Sequence, residues 1–192
     1  MTAHLLLLCH AATASTRSAG FPPDEEVLDP AAAARLGGLR GRLRHTDRRY
    51  VRPMARAKQT AAALGLDAVV ESALADCDFG RWRGHSLLAV QKREPQSVAE
   101  WLRDPTASPH GGESVVSLIE RVGAWLGSHG SARGVTLAIT HASNVRAAIV
   151  AALEAEARAF WRVDVAPLTR VRLSGHGGRW NLVDLGALEA EI

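Results

Sequence analysis

The chain has 192 residues, the size of one globular domain at about 100–200 residues per domain. Hydrophobic residues make up 47% and charged residues 22%, which excludes a disordered chain and allows a sizeable core. The 23 basic and 20 acidic residues leave a net charge of only +3, too little for a protein whose main task is neutralising nucleic-acid phosphates.

The 23 basic residues include just two lysines, Lys58 and Lys92, so arginine carries the positive charge and raises the isoelectric point. The only cysteines, Cys9 and Cys77, have no partner Cys/His spacing, which gives neither a zinc framework nor a disulfide scaffold. The apolar run Leu5–Leu8 is too short for a secretion signal, and no Lys or Arg precedes it. No run approaches the roughly 18 apolar residues of a membrane span. The expectation is a single cytoplasmic domain, 1–192, with no membrane partner.

In chain order, His4–Cys9 reads as a continuous apolar strand buried on both faces, as in a parallel sheet. Ala11–Pro23 reads as a loop. Asp29-Pro30 pairs an N-cap with a first-turn proline and opens a helix over Ala31–Leu43. Arg49–Val51 is a second strand, Pro53–Leu64 a helix closed by Gly65, and Ala68–Val70 a brief third strand. The pattern weakens from Glu71 to Gly112, with one helix around Val98–Arg103; residues 77–112 read as a small cap. Ser114 caps an amphipathic helix running to about His129. Val135–Thr140 is an apolar strand, and Ser143 is expected to cap the helix after it. Phe160–Val165 reads as a strand, and Thr169–Leu173 pairs with Trp180–Val183 across Gly175–Gly178. The alternation predicts an α/β fold, a three-layer α/β/α sandwich on a mostly parallel sheet.

In such a sheet, ligands bind beyond the carboxyl ends of the strands. Two strands end on histidine, at His10 and His141, and the helix following His141 directs free N–H groups to the same place. Arg52 and Arg56 flank another strand-to-helix junction. Two imidazoles, arginines and a helix dipole describe a phosphate site with a nitrogen nucleophile. A histidine after a strand also serves simply as a hydrogen-bonded structural residue, and spacing alone leaves both readings open.

Five ordered segments carry a family resemblance. The first strand ends Cys9-His10-Ala11. Arg52-Pro53-Met54-Ala55-Arg56-Ala57-Lys58-Gln59-Thr60-Ala61 follows, then Leu74-Ala75-Asp76-Cys77-Asp78-Phe79-Gly80-Arg81-Trp82-Arg83-Gly84. Pro109-His110-Gly111-Gly112-Glu113-Ser114 and Thr140-His141-Ala142 complete the set. The sequence resembles the histidine phosphatase superfamily (phosphoglycerate-mutase-like), whose members carry Arg-His-Gly, Ser-Pro-Leu-x-Arg-Ala-x-Gln-Thr-Ala, Leu-x-Glu-x-x-Phe-Gly-x-Trp-x-Gly, Pro-x-Gly-Glu-Ser and strand-His-small elements in this order.

The resemblance implies a metal-independent phosphatase that takes a small phosphorylated substrate and needs no cofactor. His10 would become phosphohistidine, Arg56 and His141 would bind the nonbridging oxygens with the Ala142 N–H, and Asp76 would serve as acid and base. Three departures stand out: Cys9 for the motif arginine, Asp76 for glutamate, and Ala11 for glycine. Arg17, Arg52 and Arg146 are candidates to replace the lost cation. Cys9 is expected to pack or line the pocket rather than act as a nucleophile. Trp82 either borders the pocket or sits in the core, and Glu113 orients substrate or another side chain. Trp101, Trp125 and Trp161 read as packing, and Arg40, Arg42, Arg44, Arg48 and Arg49 as a solvated cluster. The rival to turnover, motivated by Cys9, is a degenerate member that only binds a phosphorylated ligand.

Overall fold

Strand β1 (Ala3–Cys9) shows why the sequence folds in three layers. Successive strand side chains point to opposite faces, so Leu5, Leu7 and Cys9 enter one core while Leu6 and Leu8 enter another. The computed structural model describes residues 2–43 and 45–188, and Arg44 of the basic cluster lies outside them. The remaining strands are β2 (Arg48–Val51), β3 (Val69–Val70), β4 (Gly134–Thr140), β5 (Thr169–His176) and β6 (Arg179–Ala187). They form one six-stranded sheet in the order β3-β2-β4-β1-β5-β6. β3, β2, β4 and β1 are mutually parallel, whereas β5 and β6 complete an antiparallel edge.

On the first face lie α6 (Val115–His129) and α7 (Ala142–Ala152), packed through residues such as Leu118, Trp125 and Ile149. On the second lie α2 (Pro30–Leu36) and α3 (Ala55–Ala63). The Asp29 side chain caps α2, accepting from the amides of Ala31 and Ala32. Ser114 caps α6 by accepting from Ser117 N.

Several elements depart from their sequence reading. α2 stops at Leu36 instead of Leu43, because Gly37 and Gly38 carry a tighter 3₁₀ turn. α3 begins at Ala55, since Met54 before it is extended. The loop Ala11–Pro23 contains a one-turn helix, α1 (Ala14–Arg17), with a reciprocal capping box between Thr13 and Thr16. Phe160–Val165 is not a strand: Ala157–Arg162 is a 3₁₀ turn that packs its aromatic residues beside α7.

The cap contains α4 (Leu87–Arg93), missed in the sequence, and α5 (Pro95–Arg103). It has its own core of Trp82, Val90, Val98 and Trp101, joined by Phe21 from the loop after α1. Its base is pinned by backbone contact: a Cβ on Gly80, whose φ is +46°, would stand 2.2 Å from the His110 carbonyl oxygen. Arg83 ties the cap outward, pairing with Asp24 at 2.5 Å and Asp78 at 2.7 Å.

Candidate active site

The parallel register brings the chemistry together. Cys9 lies opposite Thr140, and Val51 opposite Ile139, so the residues after β1, β2 and β4 emerge at one end of the sheet. His10 N donates to Thr140 O at 2.9 Å, stitching the two histidine-bearing turns to each other. Their rings meet edge-on with centroids 5.0 Å apart.

His10 is buried, and its Nδ1–H donates to the adjacent Ala11 carbonyl at 2.7 Å. That bond fixes the tautomer and leaves Nε2 with a free lone pair. Burial, which disfavours the charged imidazolium, lowers the His10 pKa below its ordinary 6.5. Ala11 adapts to its position without left-handed backbone, and its amide donates to Thr60 Oγ1 at 3.1 Å. Thr60 in turn donates to Arg56 O, so α3 and the His10 turn are braced as one unit.

Arg56 is 1% exposed and spreads its donors over three partners: Nη2 to Asp76 Oδ2 at 2.8 Å, Nε to His141 Nδ1 at 3.2 Å, and Nη1 to Pro23 O at 3.0 Å. Asp76 Oδ2 stands 3.3 Å from the same Nδ1; with Nδ1 accepting from Arg56, the His141 proton sits on Nε2. That Nε2–H is buried and has no protein acceptor. A donor left unpartnered at the start of a helix is placed to meet an anion. Burial also pushes the His141 pKa well below 6.5, so the ring is a neutral donor in the free site.

Asp76 reaches the site despite its short arm, because Asn144 Nδ2 holds the Leu74 carbonyl and Arg121 Nη1 holds the Ala73 carbonyl close by. Its carboxylate accepts from Arg56, from Ser143 Oγ at 2.5 Å and from Cys77 N at 2.9 Å. Burial favours the protonated form, but His141, Arg56 and the Ser143 hydroxyl outweigh it and hold the carboxyl well below the usual carboxylate range. Ser143 therefore does not cap α7. His141 occupies the N-cap, with no side-chain capping bond, and Ala142 and Ser143 at the start of α7 line the cavity.

A cavity of about 650 Å³ opens in front of these groups, lined by Cys9, His10, Asp76, His141 and Ala142 on its inner side. Arg146 is the one guanidinium among its lining residues. Its Nε donates to Val163 O at 2.7 Å, and its Cζ stands 5.8 Å from the Phe160 ring centroid. It lies close enough to Cys9 to offset part of the burial that pushes that thiol up to about 12. Cys9 is thus a protonated wall residue rather than a thiolate nucleophile.

The other expected contacts lie elsewhere. Arg17 is 60% exposed and pairs with Asp29 at 2.9 Å, outside the cavity. Trp82 is fully buried in the cap core, with its Nε1–H donating to Glu94. Glu113 grips Arg121 through both oxygens and so braces the Asp76 segment rather than facing the cavity. Arg52 is buried and does not line the cavity, yet its charge acts on Asp76, Arg56 and His141, and two of its nitrogens lack a protein partner. Among the described residues no cluster of His, Cys, Asp and Glu forms a metal cage, and no helix is long and apolar enough to cross a membrane.

A buried histidine pair at the carboxyl edge of an α/β sheet, facing one cavity with a helix N-terminus, defines an anion-accepting site with a free ring nitrogen. The chain belongs to the histidine phosphatase superfamily (branch 1), whose family model matches residues 5–187. Over 128 residues, 61% of this chain, it is 32% identical to the bifunctional protein Rv2228c of Mycobacterium tuberculosis, of which the match covers 34%. It therefore spans only about a third of the length of that curated relative. A mycobacterial glucosyl-3-phosphoglycerate phosphatase superimposes with a TM-score of 0.82 at 20% identity, covering 95% of this chain and 97% of its own. A phosphoserine phosphatase mutant from Entamoeba histolytica, solved with phosphoserine, gives 0.86 at 15% identity, covering 97% and 98%. At these identities the structural likeness concerns the fold.

Proposed function

We propose that this protein is a metal-independent phosphatase that hydrolyses a small phosphomonoester through a phosphohistidine on His10. The observation that carries the reading is the His10 hydrogen bond to Ala11 O, which frees Nε2 at the cavity beside the unpartnered Nε2–H of His141.

In the first step, His10 Nε2 attacks phosphorus, the N–P bond forms and the ester P–O bond breaks. The leaving oxygen takes a proton by way of Asp76. In the second step, water attacks phosphorus, the N–P bond breaks, and the water proton passes to Asp76. Such a positioned acid and base is worth roughly 10²–10⁴-fold. The nonbridging oxygens are met by His141 Nε2–H, by the Ala142 amide and by Arg146. Arg56, buried behind the cavity wall, adds its charge and holds His141 and Asp76 in place.

Arg146 replaces the cation missing at position 9. It arrives from α7 rather than from β1, anchored by Nε to Val163 O and with Asp164 also acting on its charge, and would turn its Nη groups to phosphoryl oxygens.

The test is phosphate release from a panel of phosphomonoesters in EDTA by wild type and His10→Ala. Release by wild type that vanishes in the variant supports the reading. The Cys9 departure favours one rival, a ligand-binding member without turnover. Orthophosphate that raises the melting temperature while no ester is hydrolysed would establish that rival instead.

A further inference from the structure

The cavity is much larger than a phosphoryl group requires. At about 650 Å³ it falls within the roughly 300–1,000 Å³ of sites that hold drug-sized ligands. Beyond the inner polar groups its wall is built from rings and aliphatic side chains: Phe21, Phe79, Trp101, Leu102, Phe160 and Trp161. Phe21 and Phe79 pack at 4.9 Å between centroids, and Trp101 and Trp161 at 4.3 Å. The wall joins three separate parts of the chain, the loop after α1, the cap and the 3₁₀ turn after α7, into one aromatic sleeve.

Charge around the sleeve is sparse and one-sided. The lining holds a single guanidinium, Arg146, placed beside Cys9 at the phosphoryl end. The acidic residues are Asp76, already assigned to the ester bond, and Glu26. Glu26 Oε1 accepts from Ser15 N at 2.8 Å, while Oε2 is buried without a protein partner. An anionic leaving group would thus find a carboxylate and no second cation on the lining itself. An apolar ring would instead displace water from an aromatic wall, the favourable exchange.

We propose that the leaving group is uncharged and ring-bearing, with its ring in the Phe21–Phe79–Trp101–Trp161 sleeve. This rests on the phosphatase reading and names its substrate class.

The experiment compares kcat/KM for 2-phenylethyl phosphate, glycerol 3-phosphate and 3-phosphoglycerate in the same buffer. All three are alkyl esters, so an activated aryl leaving group does not mask recognition. The phenylethyl ester is expected to exceed both others by about 10- to 150-fold, the effect of burying one phenyl-sized group. Trp161→Leu, verified as folded by its thermal melt, is expected to reduce that preference about tenfold. Equal or faster turnover of glycerol 3-phosphate or 3-phosphoglycerate overturns the substrate class while leaving the phosphatase reading intact. Release from none of them, nor from 4-nitrophenyl phosphate, overturns the phosphatase reading and this inference with it.

Discussion

Arg146→Met isolates the replacement cation, because methionine keeps an apolar stem against Phe160 and removes the guanidinium. A charge-assisted hydrogen bond to a phosphoryl oxygen is worth about 1.5–3 kcal/mol, so kcat/KM is expected to fall about 10- to 150-fold. The substitution also removes the Nε donor to Val163 O. That loss costs about 1 kcal/mol of stability, a melting shift of roughly 2–4 °C in a domain of this size. Arg146→Lys keeps a charge but cannot hold the Val163 carbonyl and a phosphoryl oxygen together, so it falls between wild type and methionine. Cys9→Arg in the wild-type background crowds a second guanidinium against Arg146 and lowers activity. In the Arg146→Met background the same change restores part of it, and the four proteins form a strongly non-additive cycle. The assay is steady-state phosphate release at matched folded fraction. A folded Arg146→Met enzyme within about twofold of wild type in kcat/KM would refute the replacement, since no transition-state contact would then have been lost.

Asp76→Asn separates proton transfer from attack. Turnover of an alkyl phosphate is expected to fall roughly 10²–10⁴-fold, whereas formation of the phosphoenzyme from 4-nitrophenyl phosphate, which needs little proton donation, falls far less; equal losses would remove Asp76 from the acid role. The pH profile follows from the depressed pKa values: Asp76 is already ionised in the free site, so the proton must enter with the substrate monoanion. With an alkyl phosphate, kcat/KM should decline above about pH 6, where the phosphomonoester loses its second proton. The acid limb lies below the ordinary histidine value of 6.5, where His10 is finally protonated. A rate that holds level to alkaline pH would mean that Asp76 carries the proton itself. His10, His110 and His141 are buried with lowered pKa values, so below 6.5 the unfolded chain binds more protons than the folded one. Stability should therefore fall with pH, by about 1.4 kcal/mol per unit for each histidine that stays neutral in the fold. Asp76 adds loss in the same direction at lower pH, beneath the unfolded carboxylate value. Urea midpoints at pH 7 and pH 5 measure this, and equal midpoints would contradict it.

The layered fold is legible because its signals are local. The apolar β1 and β4, the Asp29-Pro30 start and the Ser114 cap each specify an element without reference to the rest. The misread elements are those in which tertiary packing decides. Phe160 and Trp161 carry strand-like residue types, yet they are held in a 3₁₀ turn by packing against α7 and Trp101. Ser143 is spaced like a cap, but its hydroxyl is drawn to the Asp76 carboxylate from 67 residues away. Trp82 and Glu113 sit within motifs that form the site, yet Trp82 packs in the cap core and Glu113 braces the Asp76 segment through Arg121. The four residues His10, Arg56, Asp76 and His141 do converge, through ordered motifs rather than periodicity. Glu26 and Arg121 carried no sequence signal, since one buried acid or one helical arginine looks like any other before the fold is known.

Covalent phosphorylation of His10 is the step on which the rest depends. Wild-type protein mixed with 4-nitrophenyl phosphate in EDTA, quenched in alkali and digested, should carry one phosphoryl group on the peptide containing His10. That group should survive base and be lost in mild acid, as a phosphoramidate is, and His10→Ala should carry none. Phosphate release in which the phosphoryl group is found on Cys9, or in which His10→Ala turns over as fast as wild type, would contradict the phosphohistidine mechanism.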